Sequence, residues 1–206
     1  MSDPARRACS RALVLASSSA YRRALLERLC LPFEVASPEV DETPQPGEPP
    51  TTLVVRLARA KAGALADRYP DALILGSDQI AAIDEHLLGK PGNREAAARQ
   101  LARVGGRTVR FHTAVALLDS ASSRTEDRIV SCEVVFRRLT PAQIDAYLET
   151  EQPYDCAGSF KSERLGIALC ERIKSDDPTA LVGLPLIAVV GLLFDHGLDV
   201  LRPSPG

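Results

Sequence analysis

Residues 12–30 read ALVLASSSAYRRALLERLC. Leu13 to Ala16 form an apolar run, and Ser17, Ser18 and Ser19 follow it. Beyond them Leu25, Leu26 and Leu29 recur at helical spacing among Arg22, Arg23, Glu27 and Arg28. This pattern predicts a buried strand, a turn of small residues and an amphipathic helix. A strand that ends in hydroxyl residues at a helix N-terminus forms an anion site, because free N–H groups and the helix dipole both favour negative charge there. Serine hydroxyls add donors, and Arg22, one turn in, adds a guanidinium fork. The stretch therefore predicts a phosphate-bearing ligand and an α/β fold built around it.

The chain has 206 residues, 45% of them apolar, which is enough for a real core. No apolar run is long enough to span a membrane, and Leu13–Ala16 is too short for a signal peptide. A cytoplasmic location and no membrane partner are expected. The net charge of −2 argues against a nucleic-acid partner. The five cysteines are scattered without a CxxC pair, so zinc and redox motifs lack support. Residues 1–11 and 202–206 are expected to fray around a single domain.

Downstream, FEVA at 33–36 reads as a short strand. SPEVDETPQPGEPP, 37–50, is too rich in proline for regular structure. Its acids, Glu39, Asp41, Glu42 and Glu48, read either as solvated loop residues or as a source of one carboxylate for a metal ion. Thr51 and Thr52 suit a helix cap. Lys61 falls beside the apolar stripe of that helix, where a lysine ordinarily snorkels to solvent. In DALILGSDQIAAID, Leu73–Leu75 predict a core strand ended by Gly76, Ser77 and Asp78, with an extended run from Gln79. An acid at such a strand tip is a place for chemistry or for a turn. Asp84-Glu85 reads as a hairpin turn.

GKPG at 89–92 presents Lys90 on a rigid turn without P-loop spacing, and Asn93 caps a helix through Arg103. TVRFHTAVALLD and RIVSCEVVFRRL predict an antiparallel pair with SASSRTED at its tip. His112, in the first of these strands, reads as a satisfied core histidine. A short helix follows at 141–149, then a strand at Ile167–Ile173 and an apolar helix after Pro185. Asp176, Asp177 and Pro178 read as a turn.

Together Ser17, Ser19, Arg22, Lys61 and Lys90 supply donors and positive charge, while Glu42 and Asp78 supply carboxylates. Such a set suits metal-assisted phosphate chemistry. The motifs LVLASSSAYRRALLERL, VDETP, RLARAKA, LILGSDQI, LLGKPG, DCAGSFKSE and DPTALVGLPL resemble, in order, the Maf-like family of nucleotide pyrophosphatases. The resemblance implies two α/β lobes about a deep cleft, built on an elongated twisted mixed sheet and often found as a homodimer. It implies hydrolysis of a nucleoside triphosphate between its α and β phosphates with Mg²⁺ or Mn²⁺. By motif, Asp78 would be the general base, Glu42 and Asp78 would hold the metal, and Ser17, Ser19, Arg22, Lys61 and Lys90 would hold phosphates.

Tyr21, Gln79 and Glu163 match the family's specificity positions and resemble the branch acting on 7-methyl-GTP, which keeps modified nucleotides out of RNA. The methylated guanine is cationic, and a tyrosine face attracts a cation by about 0.5–2 kcal/mol. A Glu163 carboxylate could accept from the ring N–H and amino group. The alternatives are a dTTP/UTP pyrophosphatase and a nucleotide-binding regulator of cell division, since the family has been associated with septum inhibition. Three positions depart from the family pattern: Ala20 for proline, Ala114 for glycine, and Arg164 for glycine beside Glu163.

Overall fold

The computed structural model describes residues 11–84 and 86–202. Of the tails expected to fray, residues 1–10 and 203–206 lie outside it. Arg11 is held by ion pairs to Asp119 at 2.7 Å and Asp71 at 3.3 Å.

The strand, turn and helix of the opening stretch form as β1 (Ala12–Ala16) and α1 (Ala20–Glu27). β2 (Glu34–Ala36) lies parallel to β1, and β1 lies parallel to the first half of β3 (Ala72–Ile83). β3 turns through Asp84 into β4 (His86–Leu88). Its other edge pairs antiparallel with β5 (Thr108–Asp119), which pairs with β6 (Arg124–Phe136), which pairs with β7 (Cys170–Lys174). Among the described residues the result is one seven-stranded mixed sheet in the order β2-β1-β3-β5-β6-β7, with β4 on β3. Helices α2 (Pro50–Gly63), α3 (Arg94–Val104), α4 (Pro141–Glu151) and α5 (Leu186–Asp195) complete an α/β fold.

Several expectations change. β3 does not stop at Gly76: it runs unbroken through Asp78, because β5 pairs along its whole length while β1 leaves at Gly76. Asp78 therefore sits in mid-strand, just past the end of the parallel partner. Thr51 and Thr52 lie inside α2 rather than capping it; Pro49 precedes the helix and Pro50 begins it with φ already set. The expected strand at Ile167–Ile173 is a 3₁₀ segment at Leu165–Leu169, with strand only from Cys170.

Two apolar clusters divide the long strands. One packs Leu73, Leu75, Val115 and Leu117 against α1 and α5, and the other packs Ala81, Ile83 and Phe111 against α3 and α4. Phe160 bridges Phe111 and Phe136 in the second, with ring centroids 5.8 and 5.1 Å away. α2 crosses the middle, with Val54 and Ala58 on Ala114 and Ala116. Ala114, the family departure, is thus a buried packing residue. Because helices cover both faces there, the second half of β5 is buried continuously while its first half alternates. Gly76 permits this approach: a Cβ on it would lie 2.2 Å from the Ala58 carbonyl oxygen.

Candidate active site

A cleft of ≈ 510 Å³ opens between the two clusters, across the central stretch of β3. One wall is the turn from β1 into α1. Ser17 is buried, and its Oγ accepts from the Ser19 N–H at 3.1 Å. Ser19 caps α1, its Oγ accepting from the Arg22 N–H at 3.4 Å, so the family's missing proline at position 20 leaves the helix start capped. Two N–H groups expected to face an anion are therefore satisfied internally by the serine hydroxyl oxygens, and both serines line the cleft. Arg22 Nε donates to the Gly183 carbonyl at 2.9 Å, which anchors the guanidinium at the cleft wall. Burial pushes the Arg22 pKa down, opposed by the nearby carboxylates of Asp78 and Glu42.

The opposite side is built on α2 and β3. Lys61 is 6% exposed and Asp78 is 7% exposed. Lys61 Nζ lies 2.7 Å from Asp78 Oδ1 and 2.6 Å from Glu42 Oε1. The lysine does not snorkel to solvent. It stays buried because two carboxylates offset the loss of its hydration. Glu42 is half exposed and faces the cleft from the loop between β2 and α2. Partial burial raises its pKa, but the Lys61 hydrogen bond and the charges of Lys61, Lys90 and Arg22 outweigh that, and the net shift is downward. Lys90 is exposed at the rim. Its turn is pinned by Gly92 N–H to the Tyr154 carbonyl at 2.9 Å.

Tyr21 and Glu163 line one cleft with Glu42, Lys61 and Lys90. Burial raises the Tyr21 phenol pKa, with Cys156 and Asp155 adding to the shift and Lys161 pulling against it. Glu163 is exposed, while Arg164 turns away to pair with buried Glu151 at 3.3 Å. The arginine beside Glu163 is therefore engaged elsewhere.

Gln79, matched by motif to a specificity position, is held in place by hydrogen bonds of its own. Its Nε2 donates to Thr113 Oγ1 at 3.0 Å and to the carbonyls of Ala180 and Leu181 at 2.9 and 3.1 Å. It lines the cleft and fastens the segment before α5.

The sequence reading missed three features here. Asp177 is not a simple turn residue: its Oδ1 accepts from Thr179 N–H and Oγ1–H at 2.9 and 2.6 Å, and its Oδ2 from the Ile187 N–H at 2.7 Å. Gly183, at φ +122°, brings its carbonyl to both Arg22 and Ser77. Lys161 is buried, with Nζ donating to the Glu151 carbonyl at 2.9 Å. Only the glycine of VGLP and the lysine of GSFKSE hinted at the last two.

Hard carboxylate oxygens from Glu42 and Asp78 suit a magnesium or manganese ion, which commonly takes one or two carboxylates and completes its shell with substrate phosphate and water. Among the described residues no three His, Cys, Asp or Glu side chains cluster as a protein-only metal site. The arrangement fits a metal carried with a phosphate ligand. Among the described residues no helix is long and apolar enough to cross a membrane.

Similarity to known proteins follows the same residues. The family described as Maf-like protein matches residues 12–196. The 7-methyl-GTP pyrophosphatase of Bordetella pertussis (strain Tohama I) is 55% identical over 193 residues, 94% of this chain and 96% of its own length. That of Thiobacillus denitrificans is 56% identical over 189 residues, covering 92% and 94%. That of a Polaromonas species is 58% identical, covering 92% of this chain and 86% of the relative. The Staphylococcus aureus Ham1 protein overlays 62% of this chain and 73% of its own, with TM-score 0.47 and 14% identity. The family match runs from β1 into the helix end at His196, and the chain belongs to the Maf-like family.

Proposed function

We propose that this protein hydrolyses 7-methyl-GTP to 7-methyl-GMP and pyrophosphate, keeping the methylated nucleotide out of RNA. The observation that carries the reading is a single cleft lined by Tyr21 and Glu163 together with Lys61, which is paired to both Asp78 and Glu42. Relatives more than half identical over nearly the whole chain bear the name of that activity.

Ser17, Ser19, Arg22 and Lys90 hold the triphosphate through hydroxyl and cationic donors. Lys61 places one positive charge against both Asp78 and Glu42, which offsets their charge beside an anionic substrate. Asp78 Oδ1 is occupied by Lys61, and Oδ2 takes a proton from the attacking water. The α–β anhydride bond breaks, the water oxygen stays on phosphorus, and pyrophosphate leaves. Glu42 and Asp78 are the residues that would hold a divalent cation; when bound, such an ion neutralises phosphate charge and acidifies a ligated water. Tyr21 offers its ring face to the cationic base, and Glu163 accepts from the guanine N–H and amino group. A uracil or thymine has neither the charge nor the second donor.

The test is pyrophosphate release across 7-methyl-GTP, GTP, dTTP and UTP with Mg²⁺ or Mn²⁺. The expected result is the highest kcat/KM on 7-methyl-GTP. A preference for dTTP and UTP overturns the substrate, and binding without turnover across the panel favours a nucleotide-responsive regulator. Glu163→Gln should lower kcat/KM for 7-methyl-GTP far more than for UTP; equal losses remove Glu163 as the base reader.

A further inference from the structure

Glu42 stands on an irregular loop, residues 37–49, rich in proline and without helix or strand. A carboxylate on such a loop has no fixed place unless the backbone beside it is tied down. The tie is made by α2. Arg56 Nε donates to Glu48 Oε1 at 2.7 Å, and Arg56 Nη2 donates to Glu48 Oε2 at 2.8 Å and to the Thr43 carbonyl at 3.1 Å. Glu48 Oε2 also accepts from the Gln45 N–H at 3.0 Å, and Asp41 Oδ1 from the Thr43 N–H at 2.9 Å. The Glu48 side chain is 5% exposed. A lone surface ion pair contributes little, but this one is bidentate, shielded, and bonded to the backbone of the residue next to Glu42. The guanidinium fork is what lets one side chain grip a carboxylate and a carbonyl together. The same helix carries Lys61 and is seated on β3 at Gly76.

We infer that Glu48 and Arg56 are positioning residues, a clasp that holds Glu42 where a divalent cation on the nucleotide phosphates needs it. The inference deepens the proposed function and rests on its reading of Glu42. Neither clasp residue lines the cleft, so loss of the clasp acts on metal capture rather than on proton transfer by Asp78.

The experiment compares wild type, Arg56→Lys, Glu48→Gln and Glu42→Gln as full chains. Free Mn²⁺ is followed by electron paramagnetic resonance during titration of protein with α,β-methylene-GTP, and turnover is measured against Mn²⁺ concentration. Loss of a hydrogen-bonded support of a metal-binding carboxylate commonly costs about tenfold in metal affinity. Arg56→Lys and Glu48→Gln should each raise the half-saturating Mn²⁺ about tenfold in both assays. kcat at saturating Mn²⁺ should stay near wild type, the melting temperature should fall slightly with the weakened ion pair, and limited proteolysis should become faster within 37–49. If Glu42→Gln raises the metal requirement and the clasp variants do not, the clasp is overturned while the Glu42 reading stands. If Glu42→Gln leaves it unchanged, the Glu42 reading fails and the clasp inference with it. If the clasp variants lose kcat and melting temperature together at saturating Mn²⁺, the pair is a general structural contact and the inference is overturned.

Discussion

Lys61 is a buried cation shared by two acids, and that is the residue-scale fact on which the site turns. Removing it leaves Asp78 without its partner at a 7% exposed position. Lys61→Met should destabilise the fold by about 2 kcal/mol, the scale of a hydrogen bond to a charged group. The double variant Lys61→Met with Asp78→Asn should recover part of that loss in urea unfolding, because the second change removes the orphaned charge; strict additivity would mean the two groups are uncoupled. Asp78→Asn alone should cut kcat by about 10²–10⁴-fold while 7-methyl-GTP binding persists, as befits loss of a general base. Full turnover by that variant would exclude Asp78 from the role. Tyr21→Phe should keep most of the preference for 7-methyl-GTP over GTP, and Tyr21→Leu should lose about 2–30-fold of it, the range set by a cation–π contact.

At the scale of elements, the seating of α2 on β3 decides whether the residues of the site meet. Gly76→Ala would put a Cβ 2.2 Å from the Ala58 carbonyl and 2.7 Å from the Ala62 nitrogen, both backbone atoms that cannot yield locally. The helix must shift, at a cost of about 1–3 kcal/mol, and Lys61 moves with it. Activity should therefore fall more than stability at 25 °C. Retained full activity alongside lost stability would show that α2 tolerates displacement. A second element-scale case is α5, whose start lacks a neighbouring side-chain cap and uses Asp177 instead, ten residues before Ile187. Asp177→Ala should cost about 1–2 kcal/mol, like loss of a strong N-cap. It should also loosen the segment held by Gln79 and Arg22, raising KM for nucleotide.

For the whole molecule, the titratable groups predict a window of pH stability. Glu48 is held at about 2, chiefly by the hydrogen bond from Arg56, and Asp119 is lowered by Arg11 and Ser122 against the opposing effect of burial. Burial lowers His112, with Arg110 adding to it. In each case the unfolded chain takes up protons at a higher pH than the folded one, so stability is lost as pH falls: first through the histidine range near 6.5, then from the ordinary carboxylate range downward. At the other limb, burial raises Cys156 to about 12 and Cys170 to about 11. The unfolded thiols ionise first, so stability falls again as pH rises above about 9. The urea midpoint should therefore be flat between about pH 7 and 8.5 and decline on both sides. A midpoint that rises into acid would contradict these shifts.

The sequence by itself determined the local elements and the chemistry they carry. Apolar periodicity marked β1, α1 and the β5–β6 pair, because a strand or helix shows its buried face in its own residues. The seven ordered motifs brought the family into view before any contact was known. Only the tertiary structure decided what those residues do to one another. Lys61 looked like a snorkelling lysine, since nothing in α2 records a carboxylate arriving from β3 and another from a loop. Glu48 looked solvated, because its partner lies on the next helix. Gln79 read as a specificity position, and nothing in its own stretch shows that its amide nitrogen also donates to two carbonyls about a hundred residues away. The break expected at Gly76–Asp78 was wrong for the same reason: glycine and aspartate are poor strand formers alone, and a partner strand pairing along the full length of β3 overrides that preference. Pairing between segments distant in the chain depends on which surfaces meet, and that information resides in the fold rather than in any one stretch.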